Sequence, residues 1–166
     1  MAILPIKEYP NSVLRKRAKE VGRIRKRTLN LITNMIETMC AEGGVGLAAN
    51  QVGALQRIIV VDTGTSYDPR HRPNEKERSK ENLTVLVNPE ILSYQGEETA
   101  EEGCLSLPEI TGKVTRAAFL KVRGLNQKGE ALEMEYTGLS ARIFQHEIDH
   151  LNGVLFIDRM EREEEQ

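Results

Sequence analysis

The 166 residues carry 23 basic and 25 acidic side chains, for a net charge of −2, with 39% apolar residues, no Trp and two Cys. That balance argues against nucleic acid as the main partner, because phosphate binding needs a basic excess. Two cysteines are too few for a disulfide framework, so free thiols are expected. The length suits one catalytic domain, 1–166, with an aliphatic core.

The opening MAILPIKEYP is broken by Pro5, Lys7 and Glu8, so it reads as neither signal peptide nor membrane span, and a cytoplasmic protein is expected. Ser12 is positioned to cap a short helix through Lys19, ended by Gly22. A second helix is predicted from Thr28 to Glu42. Leu29, Ile32, Ile36 and Met39 fall at helical spacing there, with Met35 and Cys40 beside the stripe. Gly43 to Gly53 reads as a glycine-rich loop, and Arg57–Asp62 as a buried β-branched strand.

Residues 66–82 are almost wholly polar, with mixed charges and two prolines, and read as a mobile surface insertion. Leu83–Val87 is predicted as a strand stopped by Pro89. Further strands are expected at Ile91–Tyr94, Lys113–Arg123 and Ala131–Tyr136, the last two joined by a turn at Asn126–Gly129. From Gly138 to Leu151 the period is helical, with Leu139, Ile143, His146 and His150 on one face and Gly153 as the stop. Residues 161–166 form a charged tail. Strands followed by a late helix give an α+β domain: a mostly antiparallel sheet packed around a C-terminal helix, with an N-terminal helix pair.

That last helix carries His146-Glu147-Ile148-Asp149-His150, an HExxH motif. Positions i and i+4 share a helix face, so both imidazoles can bind one ion, and Glu147 can reach a water that the ion activates. The alternative is two histidines four apart by chance. With only three His in the chain, a chance HExxH arises in roughly one ordinary chain in several hundred.

The third ligand decides what the motif serves. One protease class continues HExxHxxGxxH, but this chain reads HEIDHLNGVLF, and Phe156 cannot bind a metal. Another class uses a glutamate on a later helix. Sixteen residues follow His150, and their final stretch, EREEEQ, is charged tail. An upstream ligand is required, and Cys104 in Glu102-Gly103-Cys104-Leu105-Ser106 is the best candidate. Cys40 fits better as a small buried apolar residue beside a helical stripe. Two His and one thiolate leave a fourth position open, as catalytic sites do.

GVGLAANQ (Gly44–Gln51), EGCLS (Glu102–Ser106) and QHEIDHL (Gln145–Leu151) together resemble the three signature motifs of peptide deformylases, in the family's order. The likeness runs from LRKRA (Leu14–Ala18) to FIDR (Phe156–Arg159). It implies that Cys104, His146 and His150 bind the metal and that Glu147 is the general acid/base. Gln51, through its side-chain amide, and Leu105, through its backbone N–H, would hold the oxyanion. Gly46 and Gly103 would let the substrate backbone approach, and Val45, Leu139 and Ile143 would wall a methionine pocket. Glu102 and Arg116 would form a supporting ion pair.

The resemblance favours one Fe2+, with Zn2+, Ni2+ or Co2+ also compatible with the donor set. It implies N-formyl-methionyl nascent chains as substrates, with no membrane and no specific nucleic acid. A transient ribosome contact fits that role, although the basic C-terminal helix of some bacterial members has no counterpart here. Arg142 stands where some members carry an aliphatic residue, which predicts a more polar pocket rim. The rival readings are another metal-dependent amidase or peptidase, and a non-catalytic metal-binding scaffold.

Overall fold

Strand β2 (Ile58–Asp62) is buried at every position because it is covered on both faces. Its side chains alternate, Ile58 and Val60 packing toward one helix and Ile59 and Val61 toward the other. The first is α1 (Lys26–Ala41), which contributes Ile32, Met35 and Met39. The second is α2 (Gly138–Leu151), which contributes Ala141, Phe144, Ile148 and Leu151. This computed structural model describes residues 2–64 and 79–161. Of the polar stretch 66–82 only 79–82 fall within them, and of the tail 161–166 only Glu161.

The sheet between the helices has the order β1-β2-β3-β6-β7, every pairing antiparallel. Its other strands are β1 (Gly46–Ala48), β3 (Leu83–Gln95), β6 (Phe119–Leu125) and β7 (Ala131–Thr137). A separate two-stranded ribbon pairs β4 (Glu98–Cys104) with β5 (Leu107–Arg116). Leu107 and Val114 of the ribbon pack with Leu14, Leu155 and Phe156 in a third apolar cluster, closed by the short helix α3 (Phe156–Arg159).

The α+β architecture matches the sequence reading; several elements differ in detail. The helix expected from Ser12 to Lys19 is one 3-10 turn, Ser12–Arg15, capped by Asn11 rather than Ser12. After it the chain is pinned as an extended strap, with Ala18 N–H donating to Leu151 O and Lys19 pairing with Gln56. Gly43–Gly53 contains β1 and a 3-10 turn, Ala49–Val52. Pro89 does not stop its strand: β3 runs through it at a register shift, with Asn88 at φ 53°. A bulge is where an inner strand tolerates proline. Lys113–Arg123 divides between β5 and β6, which belong to different sheets. β4 was not expected at all, since its acidic, largely exposed residues carry no apolar signal.

Candidate metal centre

Helix α2 turns two faces to two tasks. Phe144, Ile148 and Leu151 point into the sheet, and Phe144 stacks on Tyr136 with ring centroids 4.4 Å apart. The adjoining face presents His146, Glu147 and His150, with Ile143 shared between the apolar cluster and the cleft. The helix stops at Gly153, at φ 74°, where a side chain would lie 2.4 Å from the Arg15 carbonyl. Arg57 holds the end of α2 in place, donating to Leu151 O at 3.1 Å and to Asn152 Oδ1 at 3.0 Å.

His150 Nε2 lies 3.3 Å from His146 Nε2 and 3.3 Å from Cys104 Sγ. All three donor atoms fall within 4.8 Å of one another. Cys104 arrives from the end of β4, so the cluster joins the ribbon to the helix. His146 Nδ1 lies 2.9 Å from Glu102 Oε1, which keeps a proton on Nδ1 and turns Nε2 to the cluster. Burial, and then the neighbouring His146, push His150 well below the ordinary histidine range, whereas, against burial, Glu147, Cys104 and Glu102 hold His146 well above it, so an ion binding here would displace a proton from His146. A thiol sulfur and two imidazole nitrogens converging in this way form a donor set suited to a borderline-soft divalent ion. Cys40 takes no part; it packs against the α1 apolar cluster.

Beside the donors stands Glu147, 4% exposed. Burial raises its carboxyl to about 7, against the pull of His146 and Arg116. Its Oε1 is buried with no hydrogen-bond partner in the protein, which leaves that oxygen for water or substrate. Gly46 makes room for it: a Cβ there would come within 2.5 Å of Glu147 Oε2 and 2.9 Å of Ile143 Cγ2. The need is for close approach, since the Gly46 backbone is ordinary.

Gln51 is fixed end for end. Its Oε1 accepts from Ala48 N–H at 2.9 Å, so its Nε2 faces Ser106 Oγ at 3.1 Å and Cys104 Sγ at 3.5 Å. One cleft is lined by Val45, Gly46, Gln51, Gly103, Cys104, Leu105, Leu139, Ile143, His146 and Glu147. Of the metal-binding, catalytic and substrate-binding residues expected from the sequence, only His150 is not among its lining; it is 1% exposed.

A family model described as polypeptide deformylase matches residues 3–166. The chain belongs to the peptide deformylase family. A peptide deformylase of Halothermothrix orenii is 49% identical over 162 residues, 98% of this chain and 96% of the relative. One from Thermodesulfovibrio yellowstonii is 50% identical over 160 residues, 96% and 90% of the two chains. The crystal structure of the Thermotoga maritima deformylase superposes with a TM-score of 0.84 at 43% identity, covering 96% of this chain and 99% of the other.

Three features of this deformylase cleft escaped the sequence reading. Glu102 does pair with Arg116, but it also accepts from His146 and from Arg142 Nη1 at 2.6 Å. Arg142 lines the cleft yet does not make its rim polar, because its guanidinium is turned inward and its side chain is 6% exposed. Ser106, 0% exposed, orients Gln51. These contacts join residues 40 to 55 positions apart, so no local pattern signals them.

Proposed function

We propose that this chain hydrolyses the formyl amide of N-formyl-methionyl peptides, releasing formate and a free N-terminus. The observation that carries the proposal is the convergence of Cys104, His146 and His150 beside a buried, protonatable Glu147 in one cleft. Cys104, His146 and His150 would hold one divalent ion, Fe2+ by our assignment, with Zn2+, Ni2+ and Co2+ as substitutes that the same donors accept. Bound there, the ion would supply Lewis acidity toward water and toward the formyl carbonyl.

The rest falls to the protein's own groups. Glu147 takes the proton of the attacking water and delivers it to the departing amide nitrogen. A carboxyl poised at about 7 suits both directions of transfer. Gln51 Nε2 and the Leu105 N–H are aimed at the carbonyl oxygen, where negative charge develops. Ala48 and Ser106 orient Gln51, and the Nε2 hydrogen that faces Cys104 Sγ at 3.5 Å is the one that would turn to the oxyanion.

Recognition follows from the fold. β1 is an edge strand, so its free side can pair with an extended peptide. Val45, Leu139 and Ile143 supply the apolar wall for the methionine side chain. A deformylase of Acinetobacter baumannii, 38% identical with a TM-score of 0.84, has been solved with Met-Ala-Ser bound. A tripeptide of that kind is the product expected from this cleft. Nascent chains are the natural source of formylated termini, which puts the proposed work in the cytoplasm. Among the described residues no helix is long and apolar enough to cross a membrane.

The test is purification without oxygen, metal analysis, and formate release from formyl-Met-Ala-Ser with each ion restored. One ion per chain and metal-dependent formate release support the proposal. Formate release that persists at full rate after exhaustive chelation contradicts it.

A further inference from the structure

The donors of the proposed ion site sit on two separate pieces of the fold. Cys104 closes β4 in a ribbon that shares no strand pairing with the five-stranded sheet, whereas His146 and His150 ride on α2, which packs against that sheet. The distance between sulfur and imidazoles therefore depends on how ribbon and helix are docked.

Arg142, one turn before His146, spans that junction. Its Nη1 donates to Glu102 Oε2 at 2.6 Å and to Val114 O at 2.9 Å, and its Nη2 to Glu98 O at 2.7 Å. One side chain from α2 thus grips β4 at two residues and β5 at a third. Glu102 is shared with Arg116, which donates to it at 2.6 and 2.9 Å and reaches back to Asp149 of α2 at 2.9 Å. The remaining partner of Glu102 is the metal-facing His146.

We propose that Arg142 is a positioning residue for the ion site: it docks the ribbon on α2, fixes Cys104 against the histidine pair, and aims Glu102 at His146. The inference rests on the metal reading given above. A purely stabilising ion pair is a weaker explanation, because buried pairs are often replaceable by apolar groups at little cost. Loss of Arg142 alone also leaves the Glu102 carboxylate paired with Arg116, so the fold should survive. What is lost is the geometric link.

The test compares the Co2+-loaded protein with Arg142→Met, Arg142→Lys and a control, Arg123→Met, whose exposed pair with Glu90 lies outside the site. Ion release into excess chelator, the thiolate-to-cobalt absorption band and the unfolding midpoint of each metal-free protein are measured. Arg142→Met should release the ion about 10- to 100-fold faster, as partners of metal ligands typically do. It should also show an altered thiolate band, and its metal-free midpoint should drop, since Val114 O and Glu98 O lose a donor. Arg142→Lys, retaining the charge, should fall between, and Arg123→Met should match the parent. If Arg142→Met cannot be obtained folded, Arg142→Lys decides by the same measures. Release unchanged in the variants overturns the proposal. So does faster release with an unaltered thiolate band, or failure of both variants to fold. A parent protein that takes up no Co2+ instead strikes the metal reading beneath it.

Discussion

Glu147 and its neighbours make separable predictions because each side chain has one contact that matters. Glu147→Gln keeps the shape beside the donors but removes the proton carrier. Turnover should fall at least a hundredfold, the usual scale of lost acid–base catalysis, while metal content stays near one ion per chain. Metal lost along with activity would make Glu147 a ligand. Cys104→Ala should lose the ion itself, and Cys40→Ala should retain it, since Cys40 packs in an apolar cluster away from the histidines. The reverse pattern, read by metal analysis, would mean the wrong thiol. Gly46→Ala places a methyl within 2.5 Å of Glu147 Oε2. It should lower kcat more than it lowers metal content, because the carboxylate rather than a donor is displaced. Cys104, the histidines and Glu147 were all legible in the sequence because their chemistry is local to short motifs. The residues behind them were legible only in part: the Glu102–Arg116 pair was expected, but the contacts of Glu102 with His146 and Arg142, and of Ser106 with Gln51, join partners brought near only by folding.

At the scale of elements, α2 is held by its ends as well as by its faces. Arg57, 8% exposed, donates to Ala18 O, Leu151 O and Asn152 Oδ1, with no carboxylate partner at any of these contacts. Burial holds its guanidinium below the ordinary arginine range. Arg57→Met should remove a donor from Ala18 O, Leu151 O and Asn152 Oδ1, Leu151 O keeping only the Ala18 N–H, and cost about 1–3 kcal/mol in denaturant unfolding. An unchanged midpoint would show that water replaces it freely. The helix itself was readable because its apolar positions repeat at 3.6 residues and Gly153 ends it. The ribbon was not. β4 is acidic and mostly exposed, so it lacks the alternation that marks a strand packed on a core. Lys113–Arg123 looked continuous because β5 and β6 follow each other closely, and it is their pairing in different sheets, with Leu107 and Val114 packed beside α3, that separates them.

For the whole molecule, the α+β class followed from strands preceding one late amphipathic helix, and the sheet order did not. Adjacent strands by sequence are split between two sheets, and that split is what lets a cysteine on one body meet histidines on another. In the proposed binding mode the carbonyl carbon would be flanked by Gln51, Leu105 and the donors. A formyl carbon bears only hydrogen, whereas an acetyl group adds a methyl, and overpacking a fixed site costs about 1–3 kcal/mol. The transition state is more crowded than the substrate, so the cost should appear in kcat/KM. The decisive measurement is kcat/KM for formyl-Met-Ala-Ser against acetyl-Met-Ala-Ser, identical beyond the acyl group. The formyl peptide should be cleaved at least tenfold better, on the order of 1.4 kcal/mol or more. Equal rates for the two would mark a general amidase and contradict the deformylase activity proposed here.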